Sequence, residues 1–392
     1  MRFTPKSELD QRIAKFQEKM RRQGIDGAIL VQNADLFYFT GSIQLAHLFV
    51  PSKGQPVLMV KKSLERAQEE SALDNVIPLG SLKNLKEVLS SYGYGAFDVL
   101  GFEMDVLPAN LFLNYQKLVA PARIVDVSSL IREVRMIKSA YEIEVLRDVA
   151  RLQNTMFDVT RENMREGITE LELTGFVAAD SRNRGHSGHL RVRGFNQDLF
   201  YLHLLSGKNT KPSYFFGSVG GEGVGPSYAQ GSSAKAIQRN EPVLCDFSFV
   251  YDGYILDQTR VFCMGQLPSH LEEAHQTAMS IIKKIEQEAK PGVPWGDIYR
   301  WSVEMAEDSG FSDRFLGYPD QMAFVGHGIG IELDELPVLG KGFTTPLEEG
   351  MVFAVEPKFV FPEGAVGLEN DYVVTNSGLE KLTVYEENII YI

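Results

Sequence analysis

The chain has 392 residues, 44% hydrophobic and 23% charged, and a formal charge of −13 from 39 basic and 52 acidic side chains. Length and composition suit a globular protein of two domains whose core needs no disulfide or structural metal. An acidic balance without a Lys/Arg run excludes nucleic acid and an anionic membrane surface as main partners, because both reward dense positive charge.

Two cysteines, Cys245 and Cys263, sit in apolar strand-like runs, which rules out a disulfide framework and fits a reducing compartment. The first residues, Met1-Arg2-Phe3-Thr4-Pro5-Lys6-Ser7-Glu8, contain no apolar signal core. No stretch approaches ~18 consecutive apolar residues, so the expectation is a soluble, cytoplasmic protein with no membrane partner.

Ile13, Phe16 and Met20 recur at helical spacing between Leu9 and Gln23, and Gly24 ends that helix. The run Gly27-Ala28-Ile29-Leu30-Val31 reads as a buried strand, and Asn33-Ala34-Asp35 as the cap of a short segment reaching Gly41. Further strands are expected at 56–60 and 99–102, with helix between them. This alternation predicts an α/β first domain at residues 1–130 and a second domain at 131–392.

In the second domain, Ile143, Leu146, Val149 and Met156 mark a long helix from Ser139 to about Glu166. Gly167 stops it, and Thr169 caps another helix through Ala179. Residues 208–233, rich in Gly, Ser and Pro, read as an extended loop. Its glycine run 220–225 lacks the spacing of a phosphate cradle and reads as a flexible lid or connection. Beyond Pro242 hairpins alternate with helices at about 269–290 and 295–309.

The chemistry concentrates in those hairpins. Asp252-Gly253 between two apolar runs is a hairpin signal; as turn residues they pair Ser248 with Asp257 and put Asp246 two residues along on the same face. Two carboxylates side by side repel, and a metal ion between them is the economical remedy. A turn at Pro362-Glu363 sets Glu356 opposite Glu369, provided the missing N–H of Pro357 falls at an edge or bulge. His327 stands between glycines in Gly326-His327-Gly328, which leave its imidazole uncrowded. One imidazole with four carboxylates is a hard donor set suited to Mn2+ or Co2+, with Zn2+ or Fe2+ also accommodated. Five such side chains exceed the three usual for a mononuclear catalytic zinc, so two divalent metal ions are expected.

These segments resemble a known family. The Asp246/Asp257 spacing, Gly326-His327-Gly328-Ile329-Gly330, the run Gly350-Met351-Val352-Phe353-Ala354-Val355-Glu356-Pro357, and Glu369-Asn370-Asp371-Tyr372 together look like the five-ligand signature of the M24 metallopeptidases, in the prolidase, aminopeptidase P and creatinase branch. Asn33-Ala34-Asp35-Leu36-Phe37-Tyr38-Phe39-Thr40-Gly41 resembles that branch's own first domain.

The resemblance implies an α+β fold, with a pita-bread catalytic domain of curved antiparallel sheet and helices behind a smaller α/β creatinase-type N-terminal domain, in a homodimer. It implies two metals on Asp246, Asp257, His327, Glu356 and Glu369, a bridging hydroxide that attacks the carbonyl next to the scissile bond, and a proton shuttle at Glu356. The implied substrate is a small peptide of Xaa-Pro type. The alternative is a small non-peptide molecule, cleaved by a creatinase-like hydrolase or lyase.

That alternative arises where the pattern breaks. Asp334 stands where the family's peptidases usually carry a second histidine, and Ser227-Tyr228-Ala229-Gln230 where a further one is expected. Gly367 stands where an Arg often precedes the last ligand. Asp334 is therefore a second catalytic candidate, suited to a cationic substrate group. Arg191 and Arg193 are candidates to clamp a substrate carboxylate, and His203 to stand in for a lost histidine.

Overall fold

Leu9, Ile13, Phe16 and Met20 fall on one side of α1 (Lys6–Arg22), and all four are buried. This helix opens the chain in a computed structural model that describes residues 2–210, 212 and 217–392. Contacts divide it into two units, residues 1–135 with 193–197, and residues 136–192 with 198–392.

In the first unit the chain continues through β1 (Gly27–Leu30), α2 (Asn33–Thr40), β2 (Ala46–Pro51), β3 (Val57–Val60), α3 (Leu64–Glu70) and β4 (Val76–Pro78). It then forms α4 (Leu85–Ser91), β5 (Val99–Phe102), α5 (Ala109–Val119) and β6 (Arg123–Asp126), with α6 (Ser128–Met136) following. The strands form one mixed sheet in the order β4-β3-β2-β1-β5-β6. One face buries Ile29, Phe49, Met59, Leu100 and Phe102 against Tyr115 of α5. The cap of α2 is Gln32, whose side chain accepts from the N–H of Asp35, and not the Asn33–Asp35 segment expected from sequence, which is already helical.

The second unit begins with α7 (Ala140–Asn163) and α8 (Glu170–Asn183), each opened by a reciprocal capping box, Ser139 with Glu142 and Thr169 with Glu172. Next come β7 (Leu202–Ser206), β8 (Val243–Tyr251), β9 (Tyr254–Cys263), α9 (Ser269–Glu288) and α10 (Trp295–Asp308). The remainder is β10 (Phe324–Gly328), β11 (Glu335–Gly340), β12 (Val352–Val355), β13 (Lys358–Phe361), β14 (Gly364–Gly367), β15 (Asn370–Thr375), β16 (Gly378–Lys381) and β17 (Ile390–Tyr391).

Three sheets result, β17-β9-β8-β7, β11-β10-β12-β15-β16 and the pair β13-β14. Every pairing in them is antiparallel except β17 with β9. The apolar stripe of α9 (Leu271, Ala278, Ile282, Ile285) packs on Val261, Phe353, Val366 and Leu368. Helices thus back antiparallel sheets, the α+β arrangement expected from sequence.

Within the 208–233 stretch, residues 211 and 213–216 lie outside the described residues. The glycine run is a packed connection, a correction to the flexible lid. A Cβ on Gly221 would meet Gly231 O at 2.4 Å, and one on Gly223 would meet Tyr228 O at 2.2 Å. Buried Glu170 ties the segment down by accepting from Ser206, Asn209 and Ser233. Among the described residues no helix is long and apolar enough to cross a membrane.

Candidate metal centre

Turn chemistry places the first two carboxylates. Asp252 and Gly253 take φ of +46° and +84°, the left-handed pair a tight hairpin turn requires. The β8–β9 ladder then runs from Tyr251↔Tyr254 through Ser248↔Asp257 to Asp246↔Thr259, the register expected from the sequence. Asp257 is buried, while Asp246 keeps 18% of its side chain exposed toward a cleft.

The second pair sits where one ladder hands over to another. β12 pairs with β15 up to Val355↔Asn370, and β13 with β14 resumes at Lys358↔Gly367 in the same register. Glu356 and Glu369 lie opposite each other in the gap, beside Pro357, which has no N–H to pair. Their own N–H groups turn outward, Glu356 to Val325 O of β10 (2.9 Å) and Glu369 to Thr259 O of β9 (3.2 Å). The interruption therefore joins both large sheets at the two glutamates.

His327 lies in the middle of β10, between β11 and β12. Its flanking glycines serve the strand crossing: a Cβ on Gly326 would meet Ala354 O at 2.2 Å, and one on Gly328 would meet Leu336 O at 2.1 Å. Nδ1 lies 3.1 Å from Gly328 O and 3.5 Å from Asp334 Oδ1. Nε2 faces Glu356 Oε1 (3.7 Å) and Glu369 Oε1 (3.9 Å).

Asp257, His327 and Glu369 each offer an atom within 4.8 Å of the other two, a spacing that fits one ion at their centre. Outer contacts hold this set still. Thr259 Oγ1 donates to Glu369 Oε2 (2.8 Å), Gln258 N to Asp257 Oδ1 (3.0 Å), and Asp371 Oδ2 accepts from Asp257 N (2.9 Å). Buried Arg260 donates to Glu369 O (2.9 Å) and Asn370 Oδ1 (2.8 Å).

A sixth side chain enters that the ligand pattern does not contain. Lys358, 2% exposed, directs Nζ at Asp246 Oδ2 (2.7 Å), Glu356 Oε2 (3.0 Å) and Glu369 Oε2 (3.2 Å). Strand alternation from Glu356 puts it on the same face, a signal available in the sequence. Its burial is not, since a lysine beside an acid on a strand is ordinarily solvated.

The electrostatics are those of a site short of positive charge. Burial, then Glu369 and Asp246, push the Asp257 carboxyl well above the usual range. Burial above all lifts Glu369 to about 7 and pushes Asp371 well above its ordinary value. For Asp246 burial works the same way, but Lys358, His203 and Asp257 together outweigh it and hold the carboxyl low. Burial also opposes the charged form of His327, yet Asp334, Glu356 and Glu369 together raise it to about 9. Buried acids crowded in this way favour their neutral forms, so a divalent ion bound here would compete with protons for the same groups.

A cleft opens over the cluster, with Asp246, Asp257, His327, Asp334, Glu356, Lys358 and Glu369 on its floor and rim. Its apolar walls include Leu190, Leu199, Phe200, Phe324 and Leu333. His203 also lines it, opposite Asp246 across the β7–β8 pair. His203 Nε2 and Gln230 Oε1 are buried with no hydrogen-bond partner among the described residues. Gln230 closes the Ser227–Gln230 segment where a further histidine was expected, and was not itself singled out by sequence pattern.

Asp334 has φ of +62° and sits on the rim, fixed by its neighbour Glu335, which accepts from Ile331 N and Glu332 N and pairs with Lys138 at 2.9 Å. Arg191 meets the rim through its carbonyl, which accepts from Leu333 N. Arg193 belongs to the first unit, where Asp35 and Asp105 occupy its guanidinium. Cys245 and Cys263 are free and buried, and burial raises both thiols, Cys263 to about 11.

Comparison with known proteins agrees with this geometry. The model of Metallopeptidase family M24 matches residues 144–376, and that of the Creatinase/Prolidase N-terminal domain matches residues 12–137. The chain is 26% identical over 383 residues to the Uncharacterized peptidase YqhT of Bacillus subtilis, covering 97% of this chain and 99% of the relative. It is 25% identical over 386 residues to the Xaa-Pro dipeptidase of Pyrococcus horikoshii, with the same coverage. The solved structure of the Xaa-Pro dipeptidase from Bacillus anthracis superposes with a TM-score of 0.84 at 22% identity, covering 98% of this chain and all of that one. The fold is therefore the pita-bread fold behind a creatinase-type N-terminal domain, as expected.

Proposed function

From the premise that this chain belongs to the metallopeptidase family M24, we propose that it is a metal-dependent hydrolase of short peptides, of the Xaa-Pro dipeptidase or aminopeptidase kind. The observation that carries the reading is the convergence of Asp257, His327 and Glu369 at the floor of an apolar-walled cleft. The names of the relatives support the same substrate class.

A divalent ion, Mn2+ or Co2+ by the hardness of the donors, supplies Lewis-acid polarisation of the substrate carbonyl and acidifies water. Glu356, with 16% of its side chain exposed to the cleft, takes the proton of the attacking water and returns it to the departing amine nitrogen. Water oxygen adds to the carbonyl carbon, the C–N bond breaks, and acid and amine leave. Asp334 on the rim faces the free ammonium of the peptide. His203 and Gln230 offer buried, unpartnered polar atoms to its backbone. The walls around Leu199, Phe200 and Phe324 take an apolar side chain or a proline ring.

Expecting two bridged ions treats all five ligands as free, whereas Lys358 already holds oxygens of three of them. A homodimer and a cytoplasmic location complete the proposal, on the family resemblance and on the two free cysteines.

A panel of Xaa-Pro dipeptides and longer peptides, assayed after loading with Mn2+ or Co2+, tests it; turnover of at least one is expected. No turnover with metal shown to be bound rejects the peptidase reading. Asp334 in place of a histidine favours a second reading, a small non-peptide substrate on the same centre. Asp334→His then raises peptidase activity from near zero, and efficient Xaa-Pro cleavage by the wild type sinks that alternative.

A further inference from the structure

Lys358 has three N–H donors and meets three carboxylate oxygens, one each from Asp246, Glu356 and Glu369, at 2.7–3.2 Å. Its donor capacity is filled, and only 2% of its side chain is exposed. The two glutamates divide their oxygens in a consistent way. On both, Oε2 goes to the lysine and Oε1 faces Nε2 of His327. Two cation positions are thereby laid out side by side, and the chain itself fills one of them.

Backbone packs closely around this lysine. Its partner across the β13–β14 ladder is Gly367, at φ +147°. A Cβ there would meet Pro357 O at 2.4 Å and Lys358 Cα at 2.8 Å, so the close approach of the two backbones beside the lysine requires glycine.

We infer that Lys358 is a built-in cation in the place of a second metal ion, so that the centre holds a single divalent ion on Asp257, His327, Glu356 and Glu369. Asp246 then serves the lysine and not the ion. A second ion would have to bond, at roughly 2.0–2.2 Å, the same oxygens that an ammonium already occupies, with like charges within contact distance. The lysine supplies fixed positive charge beside the reacting carbonyl without a binding equilibrium of its own. The inference rests on the metallopeptidase reading, which names the residues as ligands.

The test counts ions. Wild-type protein is loaded with Mn2+, freed of excess, and measured by inductively coupled plasma mass spectrometry and by electron paramagnetic resonance. One ion per chain with the hyperfine pattern of an uncoupled centre is expected, and Lys358→Ala gains a second ion with a spin-coupled spectrum. Two ions on the wild type, or a folded Lys358→Ala protein that stays at one, overturns the inference. Where Lys358→Ala does not fold, Asp246→Asn decides: it keeps its ion if Asp246 serves the lysine, and losing the ion overturns the proposal. Asp257→Asn loses the ion in either case and calibrates the measurement. A wild type that takes up no ion at all overturns the metallopeptidase reading itself, an outcome distinct from a count of two.

Discussion

Each unit buries a cluster of carboxylates, and the two are neutralised in opposite ways. In the first, fully buried Asp35 is held by Arg135 at 2.7 Å and Arg193 at 2.8 Å, while Arg193 turns its other edge to Asp105 at 2.6 and 2.8 Å. Burial, with Asp35 beside it, pushes the Glu103 carboxyl well above the usual range, toward its neutral form. Guanidiniums and carboxylates balance from within the chain. In the second unit Asp246, Asp257, Glu356 and Glu369 share Lys358 and His327, and Asp371 adds a further buried acid. The residue types are alike, but the supply of cations is not. A cluster the chain neutralises itself is a structural joint, whereas one left short of positive charge is built to take a cation from solution.

The comparison breaks most sharply at Asp257. Asp257→Asn should lose the ion and cut kcat/KM by on the order of 10³-fold, while the metal-free protein melts no earlier than the wild type, since a crowded acid has been removed. Metal content, steady-state kinetics and melting curves together check it. A metal-free variant that melts well below the metal-free wild type would mean that this cluster, too, is a structural joint.

The converse holds in the first unit. Arg135→Met leaves buried Asp35 to Arg193 alone and should lower the unfolding free energy by up to about 3 kcal/mol, read by urea unfolding of the full chain, with kcat/KM of the folded protein retained. A large fall in activity with unchanged stability would erase the distinction between the clusters.

A smaller effect separates paired charge from plain burial. His47 in the first unit and His275 in the second are both pushed down to about 4 by burial. Below a pH of about 6.5 the unfolded chain takes up protons that the folded imidazoles refuse, so stability drains as pH falls from about 6.5 to about 4, by up to ~3 kcal/mol for each histidine. Thermal midpoints followed across that window should drop less steeply in His275→Gln than in the wild type. The smallest effect belongs to the surface. Arg300, exposed and paired with Glu304 and Asp297, should be replaceable by Ala with no measurable change in the midpoint.

Much of the centre was legible in the residues because local rules place it. Asp252-Gly253 admits one register, and with that register Asp246 and Asp257 share a face. The turn at Pro362-Glu363 likewise sets Glu356 against Glu369, even though the ladder between them is broken at Pro357. Helix ends at Ser139 and Thr169 were readable from their capping partners. By contrast β2, buried along its whole length, shows no alternation to betray it. Arg193 reads as a free clamp until the fold sets it against Asp35 and Asp105, which lie 158 and 88 residues away along the chain. Lys358 lies next to the motif in sequence, yet only its burial makes it part of the site.

The order of residues alone determined which side chains can share a strand face, because turn type and strand period are local properties of the backbone. It thereby determined which carboxylates can lie side by side at the candidate site. How much charge that set already carries within itself was decided only by the tertiary structure. Whether an ammonium or guanidinium lies in water or among buried acids depends on which surfaces pack over it, and packing joins residues that no local rule relates.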